Sequence, residues 1–367
     1  MIKQIMRIWV DILTPKQIFF LGELNKRLEE KGHEVFKTTR RYREVNELFK
    51  LKEMDALVVG KHGGATLEGK LIASAQRIKE LTRIISRVKP DLSIAFASPE
   101  AARTAFGLAI PHYTINDSPH SIAVARLTVP LATKVFSPKI IPKKVWIKLG
   151  AQKDKIIQYN ALDPMAWLRT SLPNREVLYE LKLDTSKPII FFRAEESLAA
   201  YLLGYVSENE SVIIPIINRL IEKCKIPIQI VALPRHMGQV PALKAAFQDD
   251  IIIPKKAIDG PSLLFFSSIF IGAGGTMSAE AALLGIPTIS CYPRDPTLVE
   301  KYLVKEKLIL RITNPEKAVR RVIKILHNYE HFKEAQSRKA KMLTSKMENP
   351  LSCIMKEIEK NNPPQST

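Results

Sequence analysis

The segment Ser268–Ser290, SIFIGAGGTMSAEAALLGIPTIS, constrains this chain more than any other. The apolar run Ser268–Ile271 reads as a buried strand, and Gly272, Gly274 and Gly275 form the loop after it. The Ala- and Leu-rich stretch Met277–Leu284 reads as a helix closed by Gly285, and Pro287–Ser290 opens the next strand. Two strands joined through a helix run parallel. Glycines at such a turn let the backbone come close to a ligand, and a helix start offers unpaired N–H groups and a positive dipole end. That geometry suits a diphosphate on the amides of Gly274, Gly275 and Thr276. Glu280, one turn into the helix, is placed to accept hydrogen bonds from ribose hydroxyls. Turns of this kind also occur where nothing binds, so the rest of the chain carries the decision.

The strand–helix alternation continues on both sides. Strands are predicted at Met6–Val10, Glu34–Thr38, Ala56–Val59, Leu92–Ala97, His112–Ile115 and Ile156–Tyr159, with helices such as Lys16–Lys31 and Leu67–Val88 between them. A second series follows the Pro-containing stretch Asp163–Pro188. Its strands are predicted at Ile189–Phe192, Ile228–Ala232, Ile251–Ile253, Ser268–Ile271, Thr288–Cys291 and Leu308–Ile312. Alternation of this kind gives a parallel sheet covered on both faces. The expected fold is therefore α/β, with two Rossmann-like doubly wound domains, residues 1–170 and 171–330, facing a cleft. A Lys-rich helix and tail, residues 331–367, completes the chain; helix is expected over His331–Asn361 and a frayed end from Pro363.

A chain of 367 residues is long for one core, and 46% apolar with 25% charged residues is an ordinary globular composition. No signal peptide and no membrane-spanning stretch is visible, and three scattered cysteines suggest neither zinc nor disulfides. A cytoplasmic protein is expected. The net charge of +19 favours anionic partners. Part of it is local: between Asp117 and Asp154 there is no acid, but Arg126, Lys134, Lys139, Lys143, Lys144, Lys148 and Lys153 occur. Val135, Phe136, Ile140, Ile141, Val145, Trp146 and Ile147 are interleaved with them. Such a stretch fits either peripheral contact with an anionic membrane at its inner face or a solvated loop with a core strand. No nucleic-acid motif accompanies the charge, so none is expected as a partner.

Polar residues gather where the strands end. Asp11, Thr14, Lys16 and Gln17 follow the first strand, and Lys61, His62, Gly63 and Gly64 the third. Ser98 and Glu100 follow the fourth, and Asn116, Asp117, Ser118 and His120 the fifth. Helix capping accounts for Ser98 and Thr14. The Lys-His-Gly-Gly and Asn-Asp-Ser-Pro-His runs fit proton transfer better, because each sets a group titrating near neutral pH in a flexible or acidic turn. In the second half, Arg193, Glu195 and Glu196 follow the first strand, and Arg235 and His236 the second. Arg193 has the planar donor fork of a phosphate clamp, with surface pairing to Glu195 as its alternative.

Five segments together carry a resemblance: WVDILTPKQ, GKHGGATLEGKL, ASPEAARTAFGL, NDSPH and GAGGTMSAEAALLGIP. The chain resembles a prokaryotic family of undefined function related to UDP-N-acetylglucosamine 2-epimerases, over roughly Met6 to Asn328. That resemblance implies the glycosyltransferase B fold. The epimerases' His-Arg-Arg-Glu-Asn run is similar to Phe192–Glu196, where Arg193 and Glu195 carry over. Their His-Met-Asn-Pro run is similar to His236–Gln239, which keeps His236. Their Ser-Gly-Gly loop with paired glutamates resembles Gly274–Thr276 with Glu280; Ala279 replaces the first glutamate, and the second is the ribose-holding one. The first half shows no match to the epimerases' acidic catalytic residues.

The expected function is thus a glycosyltransferase-like enzyme using a nucleotide sugar, UDP-linked by that resemblance, with no other cofactor and no metal. Gly274, Gly275, Thr276, Glu280, Arg193, Glu195 and His236 would bind the nucleotide sugar. Asp117 or His120 would be the base, with His62 and Asp11 as further polar contacts. The acceptor is open; a lipid-linked one would suit the basic stretch. A UDP-GlcNAc 2-epimerase-like enzyme is the alternative of the same class, and a non-catalytic nucleotide- or anionic-lipid-binding protein the alternative of another.

Overall fold

The structure, a computed structural model, describes residues 5–196 and 211–361. The chain forms two compact units: Met1–Trp167 with Met347–Thr367, and Leu168–Lys346. The end expected from Pro363 lies outside the described residues. Among the described residues, no helix is long and apolar enough to cross a membrane.

The first unit holds a seven-stranded sheet: β1 Arg7–Asp11, β2 Glu34–Arg41, β3 Leu57–Lys61, β4 Leu92–Phe96, β5 His112–Ile115, β6 Lys134–Pro138 and β7 Ile156–Tyr159. The order is β3-β2-β1-β4-β5-β6-β7, parallel throughout. β4 reads LSIAF and is buried at every residue, as a strand covered on both faces requires. The Pro15–Glu30 helix buries Ile18, Leu21, Leu24 and Leu28, a stripe at helical spacing.

The second unit holds five parallel strands: β8 Ile189–Arg193, β9 Gln229–Leu233, β10 Ile269–Gly272, β11 Thr288–Ser290 and β12 Ile309–Arg311, in the order β12-β11-β10-β8-β9. In each sheet the chain first winds one way and then the other. The reversal falls between β1 and β4 in the first unit and between β8 and β10 in the second. Connections diverge at such a point and leave room for a ligand beyond the strands' carboxyl ends.

In one segment the structure decides between the two alternatives of the sequence, and two others differ from the sequence reading. The basic stretch contains β6, an interior strand, so Val135, Phe136, Ile141 and Trp146 belong to the core and the Trp146 indole donates to Ser137 Oγ at 2.7 Å. Of the interleaved apolar residues only Ile147 is exposed, at 42%, while Lys143, Lys144 and Lys148 stay on the surface. Val135, Phe136, Ile141 and Trp146 are thus the core part, and the lysines the solvated part, of the second alternative. Ile251–Ile253 contributes one bridge, Ile252 to Val231, instead of a strand; it lies beyond the β9 edge and Pro254 ends the pairing.

The expected C-terminal helix breaks into Tyr329–Thr344 and Pro350–Asn361. Pro350 opens the second piece and Asn349 caps it, accepting from Leu351 N at 2.9 Å. Glu348 and Asn160 exchange hydrogen bonds, and Glu357 pairs with Lys134 at 3.0 Å. This last helix therefore belongs to the first unit.

Candidate functional site

In the second unit, the carboxyl ends of β8, β9 and β10 bring the expected nucleotide contacts to one edge of the sheet. β10 ends at Gly272, and the Thr276–Leu283 helix begins behind Gly275. Gly274 and Gly275 have φ of +98° and +92°, where only glycine is comfortable. A Cβ on Gly274 would lie 2.6 Å from the Tyr292 ring, and one on Gly275 2.1 Å from Arg235 Nη2. The loop is thus clamped between an aromatic ring and a guanidinium. Gly275 is nevertheless exposed, and the helix it precedes has no side-chain cap. Its first amides remain available to an anion.

Arg193 closes β8 beside Gly272 and is buried; its Nη1 donates to the Pro234 carbonyl at 2.7 Å. Burial of both Arg193 and Glu195 rules out a surface ion pair between them. Glu195 accepts from Ser211 Oγ at 2.8 Å, and burial pushes its carboxyl above the ordinary value. His236 is half-buried, and its charge acts on Glu195. Glu280 is buried on the helix that Gly275 opens.

Arg235 is the residue to which the sequence assigned no role. Its Nε is buried without a hydrogen-bond partner, and Nη2 meets Gly274 O only at 3.4 Å. Gln239 fixes its backbone, accepting from Arg235 N at 2.7 Å while donating to Glu195 O at 3.0 Å. A guanidinium held beside an uncapped helix start is equipped to take a phosphate.

In the first unit, Asp11 is fully buried. It accepts from Arg77 at 2.6 and 3.0 Å, from Thr38 Oγ1 at 2.6 Å and from Ser98 Oγ at 2.7 Å. Burial opposes its charge, but Arg77 and these hydrogen bonds hold the carboxyl below its ordinary value. Asp11 ties β1 to β2, to the helix cap after β4 and to the Leu67–Val88 helix. Ser98 also caps its helix, accepting from Ala101 N at 3.2 Å, whereas Thr14 makes no side-chain cap.

Asp117 lies in a different cluster. Lys16 Nζ donates to Asp117 Oδ2 and to Asp163 Oδ2, the latter at 2.6 Å, and sits 4.2 Å from the centre of the Phe96 ring. Ser118 Oγ donates to Asp117 at 2.8 Å and the Tyr159 hydroxyl to Asp163 at 2.5 Å. Burial disfavours every charge here. Lys16 still holds Asp117 below the usual carboxylate value, while buried Asp163, next to Asp117, is pushed up to about 7. His120 has solvent-exposed surface, but neighbouring groups desolvate part of its ring; this lowers its pKa, and the charge of Asp117 opposes that.

Lys16 and Asp163 escaped notice as a pair because 147 residues separate them. Only the lysine's position opening a helix at the sheet's carboxyl edge was visible. His62 is not brought to Asp117: β3 and β5 are four strand spacings apart, about 19 Å. It packs instead on Tyr42, ring centres 4.9 Å apart, and its Nδ1 accepts from Gly64 N at 3.1 Å.

Known proteins place the chain. DUF354, a family described as proteins of unknown function, matches residues 6–358. The uncharacterized protein MJ0665 of Methanocaldococcus jannaschii is 34% identical over 314 residues, 82% of this chain and 86% of its own. Among solved structures, the S. aureus MnaA–UDP complex has a TM-score of 0.76 at 15% identity and covers 99% of both chains. UDP-GlcNAc 2-epimerase from Neisseria meningitidis, bound to UDP-GlcNAc, has a TM-score of 0.74 at 18% identity, covering 97% of this chain and 100% of its own. Arabidopsis thaliana UGT89C1, complexed with UDP-L-rhamnose, has 0.65 at 11%, covering 97% and 100%. At these identities the likeness is one of fold. The chain belongs to the DUF354 family and has the two-sheet, glycosyltransferase B type of fold found in UDP-sugar epimerases and glycosyltransferases.

Proposed function

We propose that this chain is a cytoplasmic nucleotide-sugar-dependent glycosyltransferase. The observation that carries the reading is the uncapped Thr276–Leu283 helix behind exposed Gly275, with Arg235 against the loop and Arg193 one strand away. The diphosphate sits on the amides of Gly274, Gly275 and Thr276, with Arg193, Arg235 and His236 around it, and Glu280 takes the ribose. The similar structures that hold UDP or UDP-sugars support a UDP-linked donor.

In the transfer, an acceptor oxygen bonds to the anomeric carbon as the bond from that carbon to the diphosphate oxygen breaks. The leaving oxygen takes the electron pair, and fixed amides and guanidinium groups stabilise it. The acceptor proton goes to a base in the first unit. His120 suits this better than Asp117: it is exposed and neutral at pH 7, whereas Lys16 makes Asp117 a weak base. Asp117 then stabilises the imidazolium that forms.

A second reading, a UDP-GlcNAc 2-epimerase, is favoured by the Asp117–Lys16–Asp163 cluster. Two carboxylates with pKa values driven apart can take and return a proton at one carbon. Incubating the chain with UDP-GlcNAc in D2O, without an acceptor, separates the two readings. The transferase leaves the sugar C2 unlabelled; deuterium at C2 makes it an epimerase. Calorimetric titration with UDP tests the site common to both, and absence of binding rejects both.

A further inference from the structure

The GKHGG segment takes no part in either set of contacts described above. It forms the loop from β3 to the Leu67–Val88 helix, at the sheet edge opposite β7. Gly60, at φ +71°, sits in an irregularity of the β2–β3 pairing and lies 3.1 Å, by its would-be Cβ, from Arg77. Ten residues, about 15 Å of helix, extend from Arg77 back to the helix start at Leu67. A Cβ on Gly63 would lie 2.4 Å from Lys70 Cα, so this loop is packed on that extension.

The loop carries unneutralised charge. Arg41 and Lys61 face each other across β2 and β3, both exposed, and form no ion pair among the described residues. Like charges in that register repel. Arg40 Nε is buried with no hydrogen-bond partner. The carboxylates nearest it, Glu100 and Asp11, face Arg77, at 3.9 Å and in two hydrogen bonds respectively. Burial above all, with Arg40 and Lys70 adding to it, pulls His62 down to about 4. Its Nδ1 accepts from Gly64 N, so neutral His62 keeps Nε2 as a donor.

The same extension exposes large apolar side chains. Leu67 is 68% exposed, Leu71, one turn on, 72%, and Ile72 50%. Glu68 is the one acid on these turns. Single exposed leucines are ordinary on a protein surface. Three in the first turns of one helix, against which a cationic loop packs, match the apolar and charged layers of an anionic membrane surface.

We propose that the Gly60–Ile72 segment binds a phosphate-bearing lipid: Arg40, Lys61 and His62 take the phosphate, and Leu67, Leu71 and Ile72 enter the apolar layer. The site lies in the first unit and stands whether or not the second unit binds a nucleotide. It is distinct from the Lys143–Lys148 stretch, where Trp146 is in the core, Val145 is half-buried and Ile147 is the one exposed apolar side chain.

The test is flotation of the full chain with vesicles of phosphatidylcholine, with and without phosphatidic acid. The chain is expected to float only with phosphatidic acid. Leu67→Ser/Leu71→Ser and Arg40→Gln should each weaken partitioning roughly tenfold or more. Lys143→Glu/Lys144→Glu should leave it unchanged, and UDP affinity should be the same in all four proteins. Wild-type flotation by the leucine or arginine variants overturns the proposal, as does its loss in the Lys143/Lys144 variant. A His62 NMR shift on adding inorganic phosphate, without vesicle binding, identifies a soluble-phosphate site instead and also overturns it.

Discussion

Arg235 occupies the space that any side chain at position 275 would need: Nη2 lies 2.1 Å from the Cβ that Gly275 lacks. The glycine loop and the guanidinium are one device, since the same contact that demands glycine also sets a cation at the helix start. Gly275→Ala should cost about 1–3 kcal/mol of backbone strain, because φ is +92° there. It should also displace Arg235. Calorimetry should show UDP affinity falling at least tenfold with the circular dichroism spectrum unchanged; full affinity would separate the loop from the nucleotide.

Arg193 and Arg235 should act on the diphosphate and not on the nucleoside. Arg193→Ala or Arg235→Ala is expected to weaken UDP by about 1.5–3 kcal/mol and to leave uridine within a few tenths. Equal losses for both ligands would deny them the phosphate.

Asp163 makes stability depend on pH. Its folded pKa, near 7, lies above the unfolded value of 3.8, so the folded chain holds the extra proton between them. Its contribution is therefore fully present below pH 3.8 and lost as pH rises through 7. Asp163→Asn mimics the protonated acid. The variant should melt higher than wild type at pH 8, with the difference shrinking as pH falls through 7 and vanishing only below pH 3.8. A constant offset at all pH values would place the proton elsewhere in the cluster.

Asp11 should prove structural. Arg77→Met leaves its buried carboxylate without a counter-charge and should cost about 3–5 kcal/mol, enough to unfold the first unit or nearly so. Asp11→Asn keeps one oxygen acceptor, turns the other into a donor that a hydroxyl can accept from, and leaves Glu100 3.9 Å from Arg77, so it should cost less. Denaturant titration ranks the two; if Arg77→Met is the milder, the network is misread.

Much of this was legible in the chain itself. The apolar runs of β4, β8 and β10 are buried on both faces, so their pattern alone fixes a parallel α/β fold. Gly274, Gly275 and the helix behind them are local, and neighbouring residues carry all the information such a turn needs. At β6, bracketed by Lys134 and Lys139, the sequence leaves a basic surface and a core strand both open; burial of Val135 and Phe136 depends on β5 and β7 beside them.

The side-chain partnerships are of another kind. Lys16 meets Asp163, Asp11 meets Arg77 and Arg235 meets Gly275 across 147, 66 and 40 residues respectively. A charge in a buried place is decided by what the sheet order sets opposite it, and no spacing along the chain encodes that. Sequence periodicity determined which segments are strands and helices. Only the folded sheets decided that Asp11 meets Arg77, that His62 stands apart from Asp117, and that burial beside Asp117 raises the carboxyl of Asp163.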